Sequence, residues 1–187
     1  AAYPTRESFV EACVPILRRE VELLRDEGVA VVQIDDPHLC LFVDPEVRAG
    51  YDDPDRAAEF AVEMTNRVVE GIEGVKLAVH LCRRAGARVR GEYAHHGGYG
   101  PILPALNRLK VHHLTMEFTA PQAGDMEVFR ALREDFEIGL GCVGCQPGRA
   151  DSTDEIVERG EHEPAQREVQ TYHQGGHRHL YHQLREG

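Results

Sequence analysis

The chain has 187 residues, of which 42% are hydrophobic, so it can form one domain with a sizeable core, but it falls short of the roughly 250 residues of a closed eight-unit α/β barrel. Its 21 basic and 32 acidic side chains give a formal net charge of −11, which disfavours binding to the phosphate backbone of nucleic acids. The chain shows no long apolar run and no basic leader followed by an apolar segment, so we expect neither a membrane span nor a secretory signal.

Helical and strand patterns alternate along the chain. Apolar residues three and four apart predict helices, and short apolar runs predict buried parallel strands. In chain order we predict a helix over residues 5–27, a strand over 29–35, a helix over 55–70, a strand over 75–82, a short helix over 101–108, a strand over 111–118, a helix over 125–135, a strand over 136–143 and a helix over 152–159. This alternation indicates an α/β protein with a parallel sheet.

The last part of the chain differs in character from the rest. Residues 160–187 are rich in Gln, His, Glu and Arg and hold five of the eleven histidines. Too few apolar residues are present there to bury a helix face, so we predict a disordered polar tail. The five cysteines of the chain are irregularly spaced, and an odd number without an export signal favours reduced thiols in the cytoplasm.

Polar side chains stand at the carboxyl ends of the predicted strands, where parallel α/β sheets place their working residues. His80 and Cys82 share one face of their strand, and Glu117 ends the polar face of the next. Nitrogen, sulfur and oxygen ligands together are typical of a catalytic zinc site with an exchangeable position. A core histidine and a small buried cysteine fit the same spacing. Asp35 and Asp36 suit a turn or helix cap as well as a binding role.

Five short segments follow one another in an order that carries a family resemblance. They are Gln33-Ile-Asp-Asp-Pro37, His80-Leu-Cys82, Gly98-Tyr-Gly-Pro-Ile-Leu-Pro-Ala-Leu106, Leu114-Thr-Met-Glu-Phe118 and Gly139-Leu-Gly141. Together they resemble the catalytic barrel of the cobalamin-independent methionine synthase family, particularly its short forms. The resemblance covers residues 5–159. It implies a (β/α)8 TIM-barrel-type domain of the methionine synthase and uroporphyrinogen decarboxylase-like class, with about half of the barrel in residues 1–159.

The resemblance also implies a metal and a reaction. In that family a His-x-Cys pair and the Glu of the next strand bind zinc, which points to His80, Cys82 and Glu117. The implied enzyme is a methyltransferase. It transfers a methyl group from 5-methyltetrahydrofolate, or a related donor, to the thiol of homocysteine and forms methionine. Zinc would stabilise the thiolate of homocysteine near neutral pH.

The substrate-binding residues implied by the resemblance lie in the first of the five segments. The family's Gln-x-Asp-Glu-Pro segment supplies an Asp that holds the amino acid substrate, which points to Asp35, with Gln33 and Asp36 beside it. A carboxylate at this position would hold the substrate ammonium by charge-assisted hydrogen bonds. Asp36 stands where the family usually has Glu.

The chain departs from the family at the fourth zinc ligand. The family supplies a Cys in an Asn-Pro-Asp-Cys-Gly segment, which this sequence lacks, so Cys142 or Cys145 is the possible fourth ligand. Gly144 and Gln146 also stand where many full-length members carry Asp and His.

These departures keep other functions open. One is a truncated, non-catalytic half-barrel that binds zinc and associates with itself through unpaired sheet edges. The other keeps the chemistry but uses a corrinoid methyl donor and a different thiol.

Overall fold

A parallel five-stranded sheet forms the centre of the structure. The structure is a computed structural model that describes residues 2–82, 97–119, 123–124, 126–144, 150–161 and 169–171. The strands are β1 (Val31–Asp35), β2 (Lys76–Leu81), β3 (His113–Glu117), β4 (Glu137–Gly141) and β5 (Val169–Thr171). They pair in parallel in the order β1-β2-β3-β4-β5. The α/β class with a parallel sheet, predicted from the alternating pattern, is confirmed.

Helices and 3₁₀ segments connect these strands. The α-helices are α1 (Arg6–Asp26), α2 (Pro45–Arg48), α3 (Pro54–Val69), α4 (Leu103–Leu106) and α5 (Thr153–Glu161), and the 3₁₀ segments are Leu39–Val43, Gly100–Ile102 and Met126–Ala131. A capping box begins α1, in which the N–H of Ser8 donates to the Thr5 hydroxyl at 3.1 Å. Another begins α5, in which the N–H of Ser152 donates to the Glu155 carboxylate at 2.8 Å. Such caps satisfy N–H groups that the first turn of a helix leaves unpaired.

The core lies on one face of the sheet. Its strand residues alternate along the chain and are Val32, Leu77, Val79, Leu81, Leu114, Met116, Ile138 and Leu140. Helix α3 adds buried residues that include Ala58, Val62 and Val68, and α1 packs on α3. Burial of each Val, Leu or Ile side chain contributes about 1.5–3 kcal/mol, so this face dominates stability. Since side chains alternate along a strand, the opposite face is the one that carries the polar residues.

The apolar face of α1 is less buried than its pattern predicts. Val14 and Val21 are buried, but Phe9, Ile16 and Leu17 are 53%, 63% and 51% exposed. A helix buries its apolar face to the extent that neighbours cover it, and α3 covers one side of α1.

Within the described ranges, no helix is both long enough and apolar enough to cross a membrane.

The helix predicted over residues 125–135 is a 3₁₀ segment, Met126–Ala131, and residue 125 lies outside the described residues. Phe129 within this segment and Leu132 just after it are both buried and lie three residues apart, which matches the three residues per turn of a 3₁₀ helix. The helix predicted over 101–108 likewise begins as the 3₁₀ segment Gly100–Ile102 before α4 follows. Element type was therefore less predictable for the short connections than for α1 and α3.

Two elements after β1 are absent from the sequence prediction. The 3₁₀ segment Leu39–Val43 is almost fully buried, and α2 follows it directly. The signal for α2 was present, because Asp44 caps the helix and Pro45 occupies its first turn. Gly97, at φ 119°, passes so close to the Val43 carbonyl that a Cβ there would collide with it. This contact packs the chain before α4 against the end of the buried segment.

The segment predicted as a disordered tail contributes to the sheet. Helix α5 continues past the predicted boundary at residue 160 to Glu161, and β5 pairs in parallel with β4. The composition of the segment is polar, but Val169 and Thr171 are β-branched residues that favour strands. An already formed edge on β4 supplies the hydrogen-bonding partners that composition does not reveal. The remaining residues of the tail, with its His-rich part, lie outside the described residues.

Candidate active site

Residues from three strands form the site at the carboxyl edge of the sheet. Asp35 pairs with His80 in the register, and His80 pairs with Thr115, so these three residues form one row. Cys82 follows β2 directly, and Glu117 is the last residue of β3. The structure thus brings the predicted metal ligands and the predicted substrate-binding Asp35 to the same edge, where α/β folds place their sites.

A hydrogen bond joins His80 to Asp35. Nδ1 of His80 lies 3.1 Å from Oδ1 of Asp35. The His80 side chain is 22% exposed and that of Asp35 is 70% exposed, so the carboxylate stands at the surface and the ring lies behind it. The register explains the contact, because residues paired on adjacent parallel strands project their side chains from the same face.

The polar row continues inward from Asp35. Nε2 of Gln33 donates to Oδ1 of Asp35 at 3.2 Å, and the Thr115 hydroxyl donates to Oε1 of Gln33 at 3.1 Å. Nε2 of His113 lies 3.2 Å from the Thr115 hydroxyl oxygen. Gln33, predicted to bind substrate, therefore has its side-chain amide engaged by neighbours within the sheet.

A half-buried ion pair lies at the inner end of this row. Nζ of Lys76 is 2.7 Å and 2.6 Å from the two carboxylate oxygens of Glu137. The hydrogen bond from Lys76 lowers the pKa of the Glu137 carboxyl. His113 is 3% exposed and lies 3.8 Å from Glu137, and burial lowers the pKa of its imidazole despite that carboxylate. The ring is therefore held neutral beneath the site.

Backbone and side-chain contacts position Glu117. Its N–H donates to the Tyr99 hydroxyl at 3.0 Å, and that hydroxyl lies 3.5 Å from the carbonyl oxygen of Leu81. Tyr99 is 1% exposed, so it ties the end of β2 to the end of β3. The Glu117 carboxylate accepts from the N–H of Thr119 at 2.8 Å and from its hydroxyl. The sequence analysis did not predict a functional role for Tyr99. The indication that it offered was the place of Tyr99 in the Gly98-Tyr-Gly-Pro segment of the family resemblance.

The donor types of His80, Cys82 and Glu117 suit zinc, since imidazole, thiolate and carboxylate are its usual protein ligands. His80 also has a carboxylate on its other ring nitrogen, as zinc-binding histidines usually do. Among the described residues, however, no group of three or more His, Cys, Asp or Glu side chains is close enough to hold a metal ion. The donors therefore fit zinc in type and share one edge, without being gathered around one point.

Asp36 caps the turn that follows β1. Its carboxylate accepts from the N–H of Leu39 at 3.1 Å, and its own N–H donates to the His80 carbonyl at 3.1 Å. Burial raises the pKa of this carboxyl, and the hydrogen bond from Leu39 opposes that rise. These contacts match the cap that the sequence left open as an alternative to a binding role.

Cys142 is placed in the core. It directly follows β4, belongs to the same core cluster as Leu140 and is 4% exposed. Burial raises the pKa of its thiol, which disfavours the thiolate that binds zinc. Arg159 of α5 donates to its carbonyl oxygen at 2.7 Å, so the residue links α5 to the end of β4. Cys145, the other possible fourth ligand, lies outside the described residues.

A parallel sheet with polar residues gathered at the carboxyl ends of its strands is the arrangement of an α/β enzyme domain. Within that class the chain belongs to the family described as cobalamin-independent synthase, catalytic domain, whose sequence model matches residues 4–163. The match spans every element from α1 to α5, so the resemblance recognised in the five short segments is confirmed.

Curated relatives match the chain over most of its length. Proteins named methionine synthase from Pyrococcus horikoshii and Pyrococcus abyssi are 27% and 28% identical to the chain over 155 residues, which are 83% of this chain and 38% of each relative. The chain thus spans about two-fifths of the length of these relatives.

Two solved structures are similar in fold. One is a B12-independent methionine synthase from Shewanella sp. W3-18-1 in complex with selenomethionine, with a TM-score of 0.64, 17% identity, and coverage of 86% of this chain and 44% of that chain. The other is a putative vitamin-B12 independent methionine synthase from Listeria monocytogenes, with a TM-score of 0.56, 20% identity, and coverage of 83% and 43%.

Proposed function

We propose that this chain is the zinc-binding part of a methyltransferase that methylates the thiol of homocysteine and forms methionine. The observation that carries the proposal is the His80–Asp35 hydrogen bond at the sheet edge where Cys82 follows β2 and Glu117 ends β3. These residues fall within the family match over residues 4–163. The relatives' name, methionine synthase, supports homocysteine as the methyl acceptor.

The residues of the candidate site would have distinct roles in this reaction. His80, Cys82 and Glu117 would hold zinc, which when bound lowers the pKa of a thiol ligand and stabilises the nucleophilic thiolate. Asp35, exposed at the edge, would hold the substrate ammonium by a charge-assisted hydrogen bond. Tyr99 would keep the ends of β2 and β3 together, so that Cys82 and Glu117 face the same substrate. The methyl donor would be 5-methyltetrahydrofolate or a related compound.

The sheet would be part of a (β/α)8 barrel of the methionine synthase type. Five parallel strands in sequential order and a polar face opposite the helix-covered face support this reading. The site would then lie at the carboxyl-terminal mouth of the barrel. Among the described residues, Cys13, Cys82 and Cys142 are free thiols, which supports the proposed cytoplasmic setting.

A second candidate is a non-catalytic, zinc-binding half-barrel. It is favoured by the absence of a gathered ligand set in the described residues. Methyl transfer to another thiol, from a corrinoid donor, would use the same residues, and a panel of donors and thiols separates it from homocysteine methylation.

Zinc content and methyl transfer by the purified 187-residue chain test the proposal. We expect about one zinc per wild-type chain, lost in His80→Ala and retained in His38→Ala, which removes an exposed histidine without a side-chain cap bond. Equal zinc content in wild type and His80→Ala would assign the metal to other histidines and contradict the site. Methyl transfer by the zinc-loaded wild type, with homocysteine and a methyl donor, supports the proposed methyltransferase if His80→Ala abolishes it. Zinc binding without methyl transfer supports the non-catalytic half-barrel.

A further inference from the structure

The Asp35 carboxylate receives two N–H groups on a single oxygen. Oδ1 lies 3.1 Å from Nδ1 of His80 and accepts from Nε2 of Gln33 at 3.2 Å. An ionised carboxylate can only accept hydrogen bonds, so both neighbours must present a donor. Within the described residues Oδ2 of Asp35 has no such contact, and the side chain is 70% exposed. One oxygen is therefore committed to the sheet, and the other faces outward.

The donor direction can be followed through the whole row. Because Gln33 turns its NH2 group to Asp35, its carbonyl oxygen faces Thr115 and accepts that hydroxyl proton at 3.1 Å. The Thr115 oxygen has no second proton to give, so His113 Nε2, at 3.2 Å, is the donor to it. The donor and the acceptor of each hydrogen bond in the row are thus determined, because Asp35 can only accept.

This arrangement determines the tautomer of His80. If Nδ1 carries the proton that Asp35 accepts, Nε2 of the neutral ring keeps its lone pair. A lone pair on Nε2 is what a metal ion requires from histidine, and a hydrogen bond on the other nitrogen fixes the ring orientation and raises its basicity.

We propose that Asp35 is a positioning residue that holds His80 in the Nδ1-protonated tautomer, with Nε2 ready to bind zinc, while its outward oxygen remains available to the substrate ammonium. The inference rests on the proposed zinc site. It changes the role of Asp35 and Gln33, which the family resemblance assigned to the substrate alone. The pair has little value for folding, because a carboxylate exposed to this extent gains little from a surface hydrogen bond.

The tautomer can be measured without any metal. Nitrogen-15 long-range correlation spectra of the metal-free protein, recorded where imidazole is neutral and with His80 assigned by its loss in His80→Ala, report which ring nitrogen is protonated. We expect Nδ1–H in wild type and in Asp35→Asn, because the amide oxygen can accept both N–H groups. We expect a tautomer mixture in Asp35→Ala. An Nε2–H ring in wild type, or an unchanged tautomer in Asp35→Ala, overturns the inference.

Zinc affinity, measured by competition with a chromophoric chelator, tests the consequence for the metal. We expect Asp35→Ala to bind zinc about 10–100-fold more weakly than wild type, and Asp35→Asn to lose less. Asp52→Asn, which removes an exposed carboxylate from the loop before α3, serves as the matched control and should bind as wild type does. Wild-type affinity in Asp35→Ala overturns the positioning role alone. Equal affinity in wild type and His80→Ala overturns the zinc site, and the role of Asp35 toward it falls as well.

Discussion

At the scale of single residues, His113 shows how the sheet changes the chemistry of a side chain. It is 3% exposed, its Nε2 lies 3.2 Å from the Thr115 hydroxyl oxygen, and its Nδ1 is 3.8 Å from Glu137. Burial lowers the pKa of the ring, Glu137 opposes that effect and Lys76 reinforces it. The sequence shows a histidine at the entry of a strand, but it does not show that the ring lies beside the Lys76–Glu137 ion pair.

The buried ring makes folding sensitive to mild acid. The unfolded chain takes up a proton near the ordinary histidine pKa of about 6.5, whereas the folded protein resists protonation to lower pH. The contribution of His113 to stability is therefore complete above about pH 6.5 and is lost as the pH falls from there toward the lower pKa of the folded state.

Urea unfolding near pH 8 and near pH 5.5 measures this contribution. Between these conditions we expect wild type to lose more unfolding free energy than His113→Asn, which cannot titrate; each unit of pKa difference corresponds to about 1.4 kcal/mol. His38→Asn, at an exposed histidine, is the control for replacing an imidazole by an amide. Parallel pH dependence in wild type and His113→Asn would contradict the neutral buried ring.

At the scale of elements, β4 carries glycine where β3 presents bulky polar side chains. Gly139 pairs with Thr115 in the register, and a Cβ added there would lie 2.7 Å from Nε2 of His113 and 3.2 Å from the Thr115 hydroxyl oxygen. Glycine thus makes room for the polar row that leads to Asp35. The strand tolerates the loss of a side chain because its neighbouring residues Ile138 and Leu140 pack in the core.

Two glycine-to-alanine substitutions separate the role of Gly139, which leaves space for the polar row, from the general effect of adding a methyl group. We expect Gly139→Ala to destabilise the protein by about 1–3 kcal/mol, because the buried imidazole must move. Gly160→Ala, in α5 with no atom within 4 Å of the added Cβ, should instead stabilise it by about 0.5–1 kcal/mol through helix propensity. Chemical denaturation measures both variants. A neutral Gly139→Ala would show that the space around His113 is less restricted than the structure indicates.

At the scale of the whole molecule, apolar surface remains uncovered at one side. Among the described strands β1 lies at the edge of the sheet, and its first residue, Val31, is 46% exposed. The exposed face of α1 borders a cleft of about 920 Å³, whose lining includes Val10, Leu17, Phe42 and Phe60. Unpaired strand edges and contiguous apolar surface favour association, which is the origin of the proposed self-association.

A charge on the edge of β1 tests this association. We expect Val31→Lys to shift the chain toward monomer in size-exclusion chromatography with light scattering, because edge lysines oppose strand pairing. Ala2→Lys is the matched control. It adds the same charge before α1, whose 21 residues place it about 31 Å from the end that leads to β1. A monomeric wild type at all concentrations, or an equal shift in both variants, would contradict association through this edge.

The sequence by itself determined the long elements and the parallel sheet, and it predicted the edge of the sheet at which the candidate site lies. These features follow from local periodicity, caps and the alternation of faces, which depend on residues close together in the chain. The family resemblance added the reaction and the assignment of zinc ligands, which are His80, Cys82 and Glu117. Both remain predictions.

Only the tertiary structure decided how the polar residues meet. The register set Asp35 beside His80, directed Asp36 into a cap, enclosed His113 and added β5 to the edge of β4. Register and burial depend on packing between strands that are distant in sequence, and a slip of one residue would exchange the two faces of a strand. For that reason the spacing of residues along the chain did not predict the contact between Asp35 and His80.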